Sequence, residues 1–158
     1  MDMPPEISLE SNRGTIFERV KRLNFPIGKY VVAGGAMEAH GIRKAKDVDL
    51  IVTKELFDDL LKQGWAPKPC RPNDIGKDGT KRKLRKDDVS IISEYSWLDK
   101  YFAKTEDLIA SADIIQGIPF VSLDELLKWK KASRREKDLE DIELIEDYLK
   151  KDGNWSQK

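Results

Sequence analysis

Asp47 and Asp49 stand two residues apart in an otherwise apolar run, Asp47-Val48-Asp49-Leu50-Ile51-Val52. Alternate side chains of a strand point the same way, so both carboxylates fall on one face and Val48 and Leu50 on the other. Two like charges side by side gain nothing from a sheet, whereas Mg²⁺ is held by one or two carboxylates together with substrate phosphates. Upstream, Gly34-Gly35 follows a second apolar run, Tyr30–Ala33. A glycine pair lets a polyphosphate approach the backbone closely. The combination points to metal-assisted chemistry on a nucleotide, with Asp47 and Asp49 as ligands of Mg²⁺ or Mn²⁺.

These residues need elements to position them. Asn12 is placed to cap a helix through about Leu23, with Ile16, Val20 and Leu23 at helical spacing. Tyr30–Ala33 reads as a strand, Ala36–His40 as a short helix and Lys46–Val52 as a second strand. Thr53 caps a helix carrying Leu56, Leu60 and Leu61, which Gly64 ends. Ala66–Lys81, with three prolines and two glycines, reads as a long loop, and the basic run Lys81–Lys86 leads into a third strand, Val89–Ser93. Two apolar runs around Gly117 predict a hairpin within Ser111–Val121. Ser122 and Glu125 form a capping-box pattern opening a helix with Leu126, Leu127 and Lys130. A last helix, Asp138–Lys151, sets Leu139, Ile142, Ile145 and Leu149 along one stripe, and a polar tail follows Gly153. Strands alternating with helices imply an α/β or α+β domain with a small mixed sheet.

The 158 residues suit a single domain with its core over about 13–151. Lysine plus arginine and aspartate plus glutamate both number 29, so net charge makes no case for nucleic-acid or membrane binding. The first residues lack a secretory signal pattern, and no apolar run approaches a membrane span; the expectation is a cytoplasmic protein with no membrane partner. Cys70 and His40 are the only cysteine and histidine. That removes disulfide scaffolds and Cys/His zinc sites, leaving acid–base and metal chemistry to carboxylates.

An apolar strand, Gly-Gly, a spacer of about eleven residues and then acid-apolar-acid resembles the nucleotidyltransferase fold of the DNA polymerase β superfamily. The likeness is greatest to small stand-alone bacterial and archaeal nucleotidyltransferase-like proteins related to the abortive-infection toxin nucleotidyltransferases. Gly41-Ile42-Arg43, with Arg43 four residues before Asp47, matches the family's "glycine, apolar, arginine … aspartate" signature. Pro119–Ile145 resembles its closing helices, with Lys130, Arg135, Lys137, Asp138 and Asp141 at the recurring polar positions. The likeness covers about Tyr30–Leu149. Two departures stand out. Ala45 replaces the usual threonine or serine, and Ser90 falls where active members carry a third carboxylate.

The resemblance implies that Asp47 and Asp49 hold Mg²⁺ or Mn²⁺ on a nucleoside triphosphate, with Gly34 and Gly35 facing the phosphates. Arg43 and Lys130 are candidates for neutralising phosphate charge, although Arg43 can equally form a structural ion pair with Asp47 or Asp49. Asp88, two residues before Ser90, or Glu94, four after it, would substitute for the third acid, with Asp88 favoured as the catalytic one. The acceptor hydroxyl belongs to a tRNA end, a protein or a small molecule. The alternatives are a catalytically impaired binding or regulatory protein of the same fold and a toxin–antitoxin component. Arg135 and Asp141 read as surface i,i+3 or i,i+4 pairs, the run Lys81–Lys86 as a solvated hairpin face, and Tyr95, Trp97 and Trp129 as core or base-stacking walls.

Overall fold

The computed structural model describes residues 14–70 and 81–152, and its first helix, α1 (Ile16–Lys21), begins on Thr15 rather than on Asn12. Thr15 Oγ1 accepts from the Glu18 amide at 3.2 Å, and Glu18 accepts from the Thr15 amide at 2.9 Å. Two orphan helix donors are thereby satisfied, which fixes the start. Asn12 lies outside the described residues. The helix stops before Leu23, with Asn24 turning at a φ of 55°.

Strand β1 (Tyr30–Gly34) runs through Gly35 into a one-turn helix, α2 (Ala36–Ala39), and the chain returns as β2 (Val48–Val52). The second strand thus begins at Val48, and Asp47 stands in the loop just before it. Helix α3 (Lys54–Lys62) starts as expected on Thr53, whose hydroxyl accepts from the Leu56 amide at 3.2 Å. It buries Leu56, Phe57 and Leu60 and gives way to Gly64 at a φ of +98°.

The stretch read as a long loop contains a strand, β3 (Ala66–Lys68), antiparallel to β4 (Lys83–Lys86). Pro67 is tolerated because β3 lies at the sheet edge, where a missing N–H breaks no ladder on the outer side. β5 (Val89–Ile92) follows. Two elements were not anticipated: a hairpin of β6 (Tyr95–Trp97) and β7 (Tyr101–Ala103), and helix α4 (Thr105–Ala110). The expected hairpin is present as β8 (Asp113–Ile115) and β9 (Ile118–Phe120). Gln116 and Gly117, with φ of 52° and 79°, supply the two left-handed positions of its tight turn.

Helix α5 (Leu123–Ser133) starts on Ser122, which accepts from the Glu125 amide. Only half of the capping box forms, because Glu125 instead accepts from the Tyr101 hydroxyl at 2.6 Å. Arg134, left-handed at a φ of 47°, turns the chain into α6 (Glu136–Asp152), which starts two residues earlier than expected. Of its apolar stripe Ile145 is fully buried, Ile142 and Leu149 pack on the core, and Leu139 points to solvent.

The architecture is mixed α+β. Seven strands form one sheet in the order β3-β4-β5-β2-β1-β9-β8, and β6 and β7 form a separate pair. β1 and β2 are antiparallel, β2 and β5 parallel, and β1 and β9 parallel. Val31, Val32, Leu50, Ile51, Ile91 and Phe120 are 0 % exposed, so the four adjacent strands β5, β2, β1 and β9 form the centre of the core, and the site lies at the Gly34 end of β1. Among the described residues no helix is long and apolar enough to cross a membrane.

Candidate functional site

At the end of β1 the ladder slips: Val32 pairs with Leu50, but Gly34 pairs with Asp49. The slip brings the Asp49 carboxylate over the Gly34 backbone, where an added Cβ would lie 2.5 Å from Oδ2. Gly35 has a different reason to be glycine. Its φ is +128°, and a Cβ there would collide with Ile16 of α1. The pair therefore divides its work, one residue making room for a carboxylate and the other for the core.

Asp47 and Asp49 both line a cavity of about 570 Å³ together with Gly34, Gly35, Arg43 and Lys130. Burial pushes the Asp49 carboxyl above its ordinary value and the charge of Asp47 adds to this, while Lys83, Arg85 and Lys137 pull it partly back. The cavity carries eight lysine and arginine side chains against five carboxylates, an excess that suits a polyanion.

The segment leading to Asp47 is clamped from two helices. Glu38 of α2 accepts from the Ala45 amide and the Ile16 amide, each at 2.9 Å. Arg19 of α1 donates to the carbonyls of Ala45 at 3.1 Å and Lys46 at 2.6 Å. Its guanidinium also pairs with Asp88 in the interior. Asp88 is thus placed away from the cavity, and the expectation that it completes the acid set is corrected. Its carboxylate faces Arg19, and its carbonyl accepts from the Val48 amide at 3.1 Å. Sequence spacing could not show this, because Arg19 and Asp88 are 69 residues apart.

Parallel pairing of β2 and β5 sets Asp49 directly beside Ser90, as the third-acid alignment predicts. Ser90 lines the cavity but is engaged: Arg85, its cross-strand partner on β4, donates from Nη1 to Ser90 Oγ at 3.1 Å. Glu94, the other proposed substitute, does line the cavity.

Arg43 pairs with neither aspartate of the motif. Its guanidinium grips Asp141 of α6 bidentately, Nε to Oδ1 at 2.9 Å and Nη2 to Oδ2 at 2.8 Å. Lys130 reaches the same carboxylate at 2.8 Å. Burial raises Asp141, but the hydrogen bonds from Arg43 and Lys130 outweigh it and hold the carboxyl below its ordinary value. Asp141 is 3 % exposed, so the reading of a surface pair is corrected. Asp138, fully buried, forms an i,i+3 pair with Arg135, Nε to Oδ2 at 2.7 Å, and also accepts from Ser133. Arg135 extends over the Trp129 ring, 4.9 Å from its centroid, and Trp129 is stacked on Tyr95. The aromatic wall is therefore already packed by the protein's own groups. The Tyr95 hydroxyl, buried at that wall, has no hydrogen-bond partner among the described residues. Burial first, then neighbouring Tyr101 and Asp49, keep it protonated.

The basic run is not a uniform solvated face. Lys81 and Lys83 line the cavity, whereas Arg82 covers the Phe57 ring and Lys86 the Trp65 ring. Strand alternation puts Lys83 and Arg85 on one side of β4, with Lys81 in the segment before it; Lys83 lines the cavity, and Arg85 is held beside it by Ser90 and the Asp87 carbonyl. His40 sits 3.4 Å from Asp113 and edge-on to Tyr148, outside the cavity lining.

The donor set fits one divalent cation. Asp47 and Asp49 both line the cavity, and the Asp49 carboxyl is raised first by its burial and then by the charge of Asp47. Two carboxylates completed by phosphate oxygens are what Mg²⁺ accepts. Among the described residues no cluster of three such ligands occurs, and the third position holds a hydroxyl bound to a guanidinium. No protein-family model, curated protein or solved structure matches this chain.

Proposed function

We propose that the protein is a nucleotidyltransferase that transfers a nucleoside monophosphate from a nucleoside triphosphate to an acceptor hydroxyl and releases pyrophosphate. The observation that carries this reading is the Gly34–Asp49 register slip, which seats a carboxylate on a glycine beside Asp47 at the floor of a cation-lined cavity. Asp47 and Asp49 would hold Mg²⁺ or Mn²⁺. Bound there, such an ion would offset part of the triphosphate's charge and would lower the pKa of the attacking hydroxyl.

The chain's own groups supply the rest. The acceptor oxygen attacks the α-phosphorus, the bond to the β-phosphate oxygen breaks, and the hydroxyl proton passes to a carboxylate. Glu94 would accept that proton; what supports this is that it lines the cavity and Asp88 does not. Lys44, Lys46 and Lys83 offer charge to the phosphates. Arg43 and Lys130 act through Asp141, fixing α6 against the cavity wall.

Ser90 favours a second reading, a nucleotide-binding or regulatory module without turnover, such as a toxin–antitoxin component. Incubation with α-³²P-labelled nucleoside triphosphates, Mg²⁺ or Mn²⁺ and total RNA or cell lysate separates the two. Label appearing on RNA, protein or a small molecule supports the transferase and identifies the acceptor class. Nucleotide binding without label transfer supports the module.

A further inference from the structure

We infer that Arg85 is a phosphate-binding residue standing in for a second cation, so that the site takes its nucleotide with at most one divalent ion. The inference rests on the nucleotide reading above and concerns how that nucleotide is held. Three neighbouring strands place Asp49, Ser90 and Arg85 in one row across the sheet. A second ion would need a donor beside Asp49 on the next strand. What stands there is the Ser90 hydroxyl, a weak ligand for a hard cation, and it accepts from Arg85 Nη1 at 3.1 Å.

The guanidinium is fixed rather than waving. Its Nε donates to the Asp87 carbonyl at 3.0 Å, while Nη1 holds Ser90. Two anchors on a planar group with five donors leave further N–H directions in a set geometry, the arrangement that makes arginine a phosphate binder. Its positive charge stands in the same row as Asp49, with only Ser90 between them. A divalent ion placed against Ser90 would meet the guanidinium's repulsion. Lys83, two residues along the same strand and lining the cavity, adds a second fixed charge.

The experiment is binding of α,β-methylene analogues of the four nucleoside triphosphates, in EDTA and in Mn²⁺, with bound Mn²⁺ counted by electron paramagnetic resonance. The expected result is measurable affinity in EDTA, strengthened on adding Mn²⁺, with no more than one Mn²⁺ per nucleotide. Arg85→Ala should weaken binding in EDTA roughly ten- to a hundredfold, the loss of charge-assisted hydrogen bonds, with an unchanged circular-dichroism spectrum. Arg85→Lys, keeping charge without the fork, should fall between. Ser90→Asp should weaken binding in EDTA and admit a second Mn²⁺, a readout that does not depend on truncating Arg85. Two Mn²⁺ per nucleotide in the wild type, or undiminished affinity in Arg85→Ala, would overturn the inference while leaving the nucleotide reading intact. Absence of binding by any analogue under either condition would overturn both.

Discussion

At Gly34 the backbone and the Asp49 carboxylate occupy adjoining space, and at Gly35 the backbone and Ile16 do, so identical neighbours predict opposite phenotypes. Gly34→Ala should displace the carboxylate and remove Mn²⁺-dependent nucleotide binding, with little change in melting temperature. Gly35→Ala should cost about 1–3 kcal/mol of stability through left-handed strain and the clash with Ile16. Chemical denaturation and calorimetry on both variants check this. Asp49 makes a second residue-scale prediction. Its folded pKa lies above the unfolded value, so its favourable contribution exists at low pH and is lost as pH rises through the folded pKa. Ionised Asp49 therefore weakens the metal-free fold at neutral pH, and Asp49→Asn should be at least as stable as wild type at pH 7 while losing the metal. A less stable Asn variant would contradict the assignment. In carboxyl NMR titrations Asp49 should move down in Asp47→Asn and up in Lys83→Ala.

At the scale of elements, the α5–α6 corner is tied to the loop before β2 by ionic contacts. Arg43 and Asp141 lie 98 residues apart yet meet bidentately. Asp138 and Asp141 both have depressed folded values: burial raises them, and hydrogen bonds from Arg135 and Ser133, or from Arg43 and Lys130, prevail. Their stabilisation is present above the ordinary carboxylate range and is lost as pH falls through the lowered folded values. Asp141→Asn should cost about 3 kcal/mol at pH 7, because it leaves Lys130 in a buried site with one partner fewer. It should also flatten the loss of melting temperature on acidification. Elements with strong local signals were legible in the sequence: the Thr53 cap, the Gln116-Gly117 turn and the alternation in β2. Others were not. β3 carries a proline, and β6 and β7 are three-residue strands, too short for a periodic signal.

For the whole molecule, the mixed α+β class was readable from period-two patterning and turn chemistry, whereas Asp49 meets Gly34 through a register slip and Asp47 stands in the loop before β2, neither of which the pattern announces. The fate of Asp88 was not readable, since Arg19 captures it across the sheet from α1. Asp88 instead holds the arginine that grips the carbonyls leading to Asp47. Asp88→Asn should therefore lower the melting temperature while keeping Mn²⁺-dependent binding measurable, whereas Glu94→Gln should keep both binding and stability and reduce pyrophosphate release. Everything proposed for the site depends on Asp47 and Asp49 holding a metal ion and a nucleotide together. The most direct test is calorimetric titration with a non-hydrolysable triphosphate analogue, with and without Mn²⁺, on wild type and Asp49→Asn. Mn²⁺ should tighten binding to wild type, and this gain should disappear in the variant. An equal gain in both proteins would contradict that joint binding.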